Sequence, residues 1–195
     1  MDNHLIRSAT KSDCSEIARL YSIASDGVAN YVWSTLAEEN EDIFEVGKRR
    51  YERKGTAFSY ENCTVVEFEG EVVGMLVAFP MHCDNNEPPE TDPVLAPYSA
   101  LEEDNSYYVC GIAMFPQYRG RGIGSELMSL AEKHAMRKGY AKISLVVFEE
   151  NSAAKKLYER LGYIEKNREA VYPHPLINIS GDALLMVKPL SPQHS

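Results

Sequence analysis

Apolar residues recur along this chain in two rhythms. After Thr10, the residues Cys14, Ile17, Ala18, Tyr21 and Ala24 fall three and four apart, which predicts a helix with one buried face. Asp13, three residues after Thr10, forms a shortened capping box at its start. His4 to Ser8 reads as a short opening strand. A second helical region, Val28 to Lys54, carries Tyr31, Trp33, Phe44 and Tyr51, breaks near the acidic stretch from Glu38 to Asp42, and stops at Gly55. Val65, Val66 and Phe68 lead to a Glu69-Gly70-Glu71 turn, and Val72, Val73, Met75, Leu76 and Val77 return, so Cys63 to Phe79 reads as a hairpin.

From residue 80 to residue 104 the pattern lapses. Pro88, Pro89, Pro93 and Pro97 stand among Asp84, Glu87, Glu90, Asp92, Glu102, Glu103 and Asp104, with no Lys or Arg. Proline-rich polar sequence cannot continue a helix or a central strand, so a long loop is expected, either solvated or acting as a flap that attracts an amine. Periodicity then resumes. Tyr107 to Met114 is strand-like, Ile123, Leu127, Leu130 and Ala131 mark a helix over Gly122 to Lys138, and Lys142 to Phe148 is a buried strand. This strand–helix–strand crossover implies a parallel pair. Ala154, Leu157, Tyr158 and Leu161 mark a further helix closed by Gly162. Tyr163 to Val171 and Asp182 to Lys188 are the last strands, and a frayed tail is expected from Pro189.

At 195 residues, 44% hydrophobic and 25% charged, the chain suits one globular domain, placed at residues 1–190 with 191–195 as the tail. The net charge of −9 argues against a general nucleic-acid binder. No apolar run has the length of a membrane helix, and the first residues lack the basic and apolar regions of a signal peptide, so a cytoplasmic protein is expected. Cys14, Cys63, Cys83 and Cys110 show no metal or redox spacing and read as reduced, buried thiols. No metal site is expected. A homodimer stays open.

The chemistry concentrates in Arg119-Gly120-Arg121-Gly122-Ile123-Gly124, between a strand and a helix. N–H groups at a helix start lack partners and carry partial positive charge. Glycines permit a tight turn there, and two arginines add charge, so the segment reads as a pyrophosphate cradle. Two cofactor classes fit. A dinucleotide-binding Rossmann unit would show G-x-G-x-x-G and an acidic residue after the next strand; Glu149 stands there, but the glycine spacing is G-x-G-x-G. The other class is a coenzyme A cradle.

The run Ile112 to Gly124 resembles the acetyl-CoA motif R/Q-x-x-G-x-G/A of the GCN5-related N-acetyltransferase (GNAT) superfamily, met by Arg119, Gly122 and Gly124. Asn151 to Tyr163 resembles its second signature, through Asn151, Ala154, Leu157, Tyr158 and Gly162. The resemblance covers about Tyr107 to Tyr163. It implies an α/β fold with a mixed, largely antiparallel sheet, splayed central parallel strands and flanking helices. It implies acetyl-CoA as cosubstrate, held by main chain of Ile112, Ala113 and Met114, by Arg119, Gly120, Arg121, Gly122, Ile123, Gly124 and Ser125, and by Asn151. Tyr158 would protonate the departing thiolate.

The general base departs from the pattern. Some family members carry a glutamate on the strand before the phosphate loop and others carry one on the next strand; the matching positions here are Cys110 and Val146. Glu149, Glu150, Glu103, Asp104, and Tyr107 or Tyr108 through water remain as candidates, as does a relay without a single base. The expected reaction is direct acetyl transfer to a primary amine of a small molecule or peptide, the acidic loop favouring a cationic acceptor. The alternatives are a non-catalytic acyl-CoA sensor and the Rossmann reading.

Overall fold

Short apolar runs punctuated by left-handed turns define most of the strands. The computed structural model describes residues 4–84, 86 and 88–191. In chain order it contains β1 (His4–Ser8), α1 (Cys14–Ala24), α2 (Val28–Leu36), α3 (Ile43–Glu52), β2 (Cys63–Phe68), β3 (Glu71–Met81), α4 (Ala96–Ser99), β4 (Ser106–Met114), α5 (Ile123–Arg137), β5 (Lys142–Phe148), α6 (Ser152–Arg160), β6 (Ile164–Ala170) and β7 (Asp182–Pro189). The seven strands follow the order β1-β2-β3-β4-β5-β7-β6. β1/β2, β2/β3, β5/β7 and β6/β7 pair antiparallel, and β4 pairs with β5 in parallel. This is a mixed, largely antiparallel α/β sheet with flanking helices.

The chain forms two compact units of interleaved segments. The first takes residues 4–78, 111–124 and 176–178. Here α1 buries Cys14, Ile17, Ala18 and Leu20, and α3 buries Val46 and Tyr51. Trp33 of α2 is also buried, with its ring 6.0 Å from Phe44. The break between α2 and α3 falls where the acidic stretch places it, and Asp42 caps α3 by accepting from Phe44 N at 2.9 Å. The Thr10–Asp13 box is present, with Thr10 N donating to Asp13 Oδ2 at 2.7 Å, but it opens a 3-10 turn over Lys11–Asp13 that precedes α1. Asp13 turns inward because Arg7 of β1 grips it with two hydrogen bonds, of 2.8 and 3.0 Å. The β2–β3 hairpin turns at Glu69 and Gly70, whose φ of 51° and 85° are those of a primed turn.

The second unit takes the described residues of 79–110, 125–175 and 179–191. Within it β4 pairs with β5 at Tyr107–Val109, opposite Ile143–Leu145. A buried hydrogen bond of 2.7 Å joins Ser106 and Ser144 there. Helix α5 buries Leu127, Met128, Ala131 and Ala135, and α6 buries Tyr158. Two expectations need correction. β3 runs on through Pro80 to Met81, so the irregular segment starts later, and it contains α4 with Pro97 in its first turn, where the missing N–H costs nothing. Pro189 is not frayed: it pairs with Lys142, and Leu190 N donates to Ala141 O at 2.8 Å. The remaining tail, from residue 192, lies outside the described residues.

Candidate active site

In the first unit, the end of β4 and the glycine turn form one continuous piece. Ala113 and Met114 are buried, and Phe115 N donates to Val73 O at 2.9 Å, which pins the strand end to β3. A 3-10 turn at Pro116–Tyr118 then swings the chain round. Gly120 and Gly122 adopt left-handed φ of 76° and 81° and alternate with Arg119 and Arg121. A Cβ added at either would meet nothing within 4 Å, so it is the backbone conformation, with open space above it, that demands glycine. Ile123 then opens α5, whose first N–H groups have no partner inside the helix.

The two arginines have different jobs. Arg119 Nε donates to Met114 O at 3.0 Å, which leaves the rest of its guanidinium fork for another acceptor. Arg121 stacks over Phe68 at 5.7 Å and Tyr118 at 5.6 Å. The turn therefore presents backbone donors and one tethered cation, a donor set that fits a diphosphate.

The second unit holds Ser125, Asn151, Tyr158, Glu149 and Glu150. Asn151 caps α6, its Oδ1 accepting from Ala154 N at 3.2 Å. Tyr158 is buried at 5% exposure, and burial pushes its phenol up to about 12. Its ring lies 5.9 Å from Tyr163. Tyr163 in turn donates to Glu132 at 3.2 Å, and Lys188 ion-pairs with Glu132 at 2.8 Å while lying over the Tyr163 ring. Sequence reasoning missed this support. Tyr163 closes the second signature, but Glu132 and Lys188 are far from it in the chain.

Three of the base candidates have side-chain partners in the fold. Glu149 pairs with Arg168 at 3.3 Å, and Glu150 accepts from Ser180 Oγ at 2.5 Å. Glu103 is 6% exposed and sits under Lys142 and Lys166. Burial would raise its carboxyl, but hydrogen bonds from the two lysines outweigh that and hold it below the usual glutamate range. Burial also raises the phenols of Tyr107 and Tyr108. Cys110 is half-buried, as is Cys83, so only Cys14 and Cys63 are the buried thiols expected. Val146 pairs with Leu185 of β7.

The acidic loop is occupied with its own backbone. Asp84 accepts from Asn86 N at 2.9 Å, Glu90 from Asp92 N at 2.9 Å, Asp92 from Val94 N at 2.8 Å and Asp104 from Cys83 N at 2.9 Å. These bonds tie four of the segment's carboxylates to its own backbone. Glu87 lies outside the described residues. Among the described residues no group of His, Cys, Asp and Glu is arranged to hold a metal, and no helix is long and apolar enough to cross a membrane.

Comparison with known proteins agrees with this arrangement. An uncharacterized N-acetyltransferase of Methanocaldococcus jannaschii is 28% identical over 84% of this chain and 62% of its own length. An N-alpha-acetyltransferase of Arabidopsis thaliana is 36% identical over 44% of this chain and 45% of its own. The chain thus spans less than two thirds of either relative. Among solved structures, an N-acetyltransferase from Staphylococcus aureus Mu50 superposes with a TM-score of 0.65 at 19% identity, covering 94% of this chain and 100% of the other. An acetyltransferase from Salmonella typhimurium, described as putative and solved with its cofactor acetyl-CoA, gives 0.62 at 17%, covering 99% and 97%. At these identities the likeness is one of fold. The model of the acetyltransferase (GNAT) family matches residues 29–163, which include the glycine turn, the capping asparagine and the buried tyrosine, and to that family this chain belongs.

Proposed function

We propose that the chain is an acetyl-CoA-dependent N-acetyltransferase that passes acetyl to a primary amine by direct attack in a ternary complex. The observation that carries this reading is the turn at Gly120–Gly122, with its paired left-handed residues opening α5 and Arg119 tied back to Met114. Bound acetyl-CoA supplies an activated thioester. Main-chain N–H groups from Gly120 to Ser125 and the free arm of Arg119 take the diphosphate. Main chain of Ile112, Ala113 and Met114 pairs with the pantetheine and gives an N–H to the acetyl carbonyl, where negative charge develops during attack. Tyr158, a neutral phenol across the physiological range, gives its proton to the departing thiolate. With Glu103 locked under lysines and Glu149 in an ion pair, the ammonium proton leaves through water rather than to a dedicated carboxylate.

Titration calorimetry with acetyl-CoA, then thiol release across an amine panel, tests the proposal. Saturable binding with transfer to at least one amine is expected, and absence of binding overturns it. A non-catalytic acyl-CoA sensor is the second reading, favoured by Cys110 and Val146 at positions where family members carry glutamate. Binding without transfer to any amine would select it.

A further inference from the structure

Arg50, on the last turn of α3, is a half-buried cation with no carboxylate beside it among the described residues. Every other charged pairing along α3 is complete. Glu41 is taken by Arg49, Glu45 by Lys48 at 3.3 Å, and Glu52 by Lys11 at 3.9 Å. Among the described residues no carboxylate meets Arg50. Its guanidinium lies over the Phe58 ring at 5.5 Å, and Arg53 beside it adds charge of the same sign. Burial and Arg53 both lower its affinity for a proton. A partly desolvated cation without a counter-charge is costly, and in an acidic chain of net charge −9 a carboxylate partner would be easy to supply.

The surroundings connect Arg50 to the acyl-binding strand. Phe58 meets the Tyr21 ring edge-on at 5.9 Å. Tyr21 also meets Tyr51, with ring centroids 5.7 Å apart. The Tyr21 ring rests directly on β4, where a Cβ added at Gly111 would come within 3.0 Å of it. Gly111 immediately precedes Ile112, the first main-chain group assigned to the thioester. From the strand outward the order is β4 backbone, aromatic wall, cation. All of these groups belong to the first unit.

We infer that the acceptor is a small amine that also carries an oxyanion, a carboxylate or phosphate-type group, and that Arg50 receives this anion beside the Tyr21, Tyr51 and Phe58 wall. This rests on the acetyltransferase reading and reverses the preference for a cationic acceptor drawn from the acidic loop. Arginine suits the task because its planar fork takes two oxygens at once.

Matched acceptors, phenylalanine against phenethylamine and β-alanine against propylamine, are compared by thiol release with saturating acetyl-CoA. Wild-type protein is expected to favour the anionic member of a pair by about tenfold or more in kcat/KM, a difference that Arg50→Met abolishes through KM. Acetyl-CoA binding by calorimetry stays unchanged in the variant, which separates failure of this inference from failure of the cofactor assignment. A second measurement needs no turnover. Benzoate, but not benzyl alcohol, is expected to raise the melting temperature of wild-type protein, and neither is expected to shift Arg50→Met. Equal use of both members of each pair, or benzoate stabilisation that survives in Arg50→Met, overturns the inference.

Discussion

Arg119 Nε donates to the carbonyl of Met114 at 3.0 Å, which ties the last peptide of β4 to the first cation of the glycine turn. The tether fixes where the remaining guanidinium N–H groups point before any ligand arrives. Preorganised donors lose less freedom on binding and are worth more to the ligand. Arg119→Ala should therefore weaken acetyl-CoA binding by roughly tenfold or more, the loss expected for a charge-assisted hydrogen bond. Arg119→Lys should recover only part of it, because an ammonium lacks the fork that serves strand and phosphate together. Calorimetric dissociation constants for the three proteins check this.

Gly122 has φ of 81° and nothing within 4 Å of an added Cβ. A Cβ there meets no neighbour, so its cost is conformational, roughly 1–2 kcal/mol. Gly122→Val should lower the melting temperature slightly but reduce acetyl-CoA affinity markedly, because the side chain fills the space the diphosphate needs. A large loss of stability with intact affinity would contradict the cradle.

Tyr158→Phe should depress kcat by about 10²- to 10⁴-fold, the range for losing a positioned proton donor, and leave the acetyl-CoA dissociation constant unchanged. Because burial pushes the phenol up to about 12, the proton stays in place through the neutral range. The wild-type pH–kcat profile should show no descending limb from this group below pH of about 10. Unaltered turnover by the phenylalanine variant would remove Tyr158 from the mechanism.

Glu103 makes a stability prediction with a definite sign. Its carboxyl is held below the usual glutamate range in the fold by Lys142 and Lys166, against the opposing effect of burial. A depressed carboxylate contributes stability that is full above its unfolded value and is lost as pH falls through the folded one. Glu103→Gln should therefore be destabilised at neutral pH by roughly 2 kcal/mol, and the gap from wild type should close on acidification. Denaturant melts at pH 7 and pH 3 measure it.

Asn151 caps α6, and the proposed function gives its amide a second task at the cofactor, which substitution can separate from the first. Asn151→Ala removes the cap on Ala154 N and should cost about 1 kcal/mol. Asn151→Ser keeps a capping oxygen and should restore stability without restoring acetyl-CoA affinity, since the amide N–H₂ is lost. Full recovery of both would reduce Asn151 to a cap.

Local sequence carried most of the element boundaries. The break between α2 and α3, the extent of β5 and the turn at Glu69-Gly70 follow from periodicity, charge and turn chemistry, which act over a few residues. The glycine turn was legible for the same reason, since alternating left-handed residues before a helix are a local demand on the backbone. Pro80 lies within β3 and Pro189 within β7, and the tail was misjudged because pairing with a strand far away in the chain settles it. Pro189, for example, faces Lys142.

Charge was decided by tertiary structure alone. The sequence displays an acidic loop, and the fold turns Glu103 inward beneath Lys142 and Lys166 and ties Asp84, Glu90, Asp92 and Asp104 to backbone N–H groups. It also leaves Arg50 over Phe58 with no carboxylate beside it among the described residues, in a helix whose Glu45 and Glu52 pair with Lys48 and Lys11. Composition counts charges, but only packing assigns each one its partner and its dielectric. A cation's meaning therefore depends on neighbours brought to it from elsewhere in the chain.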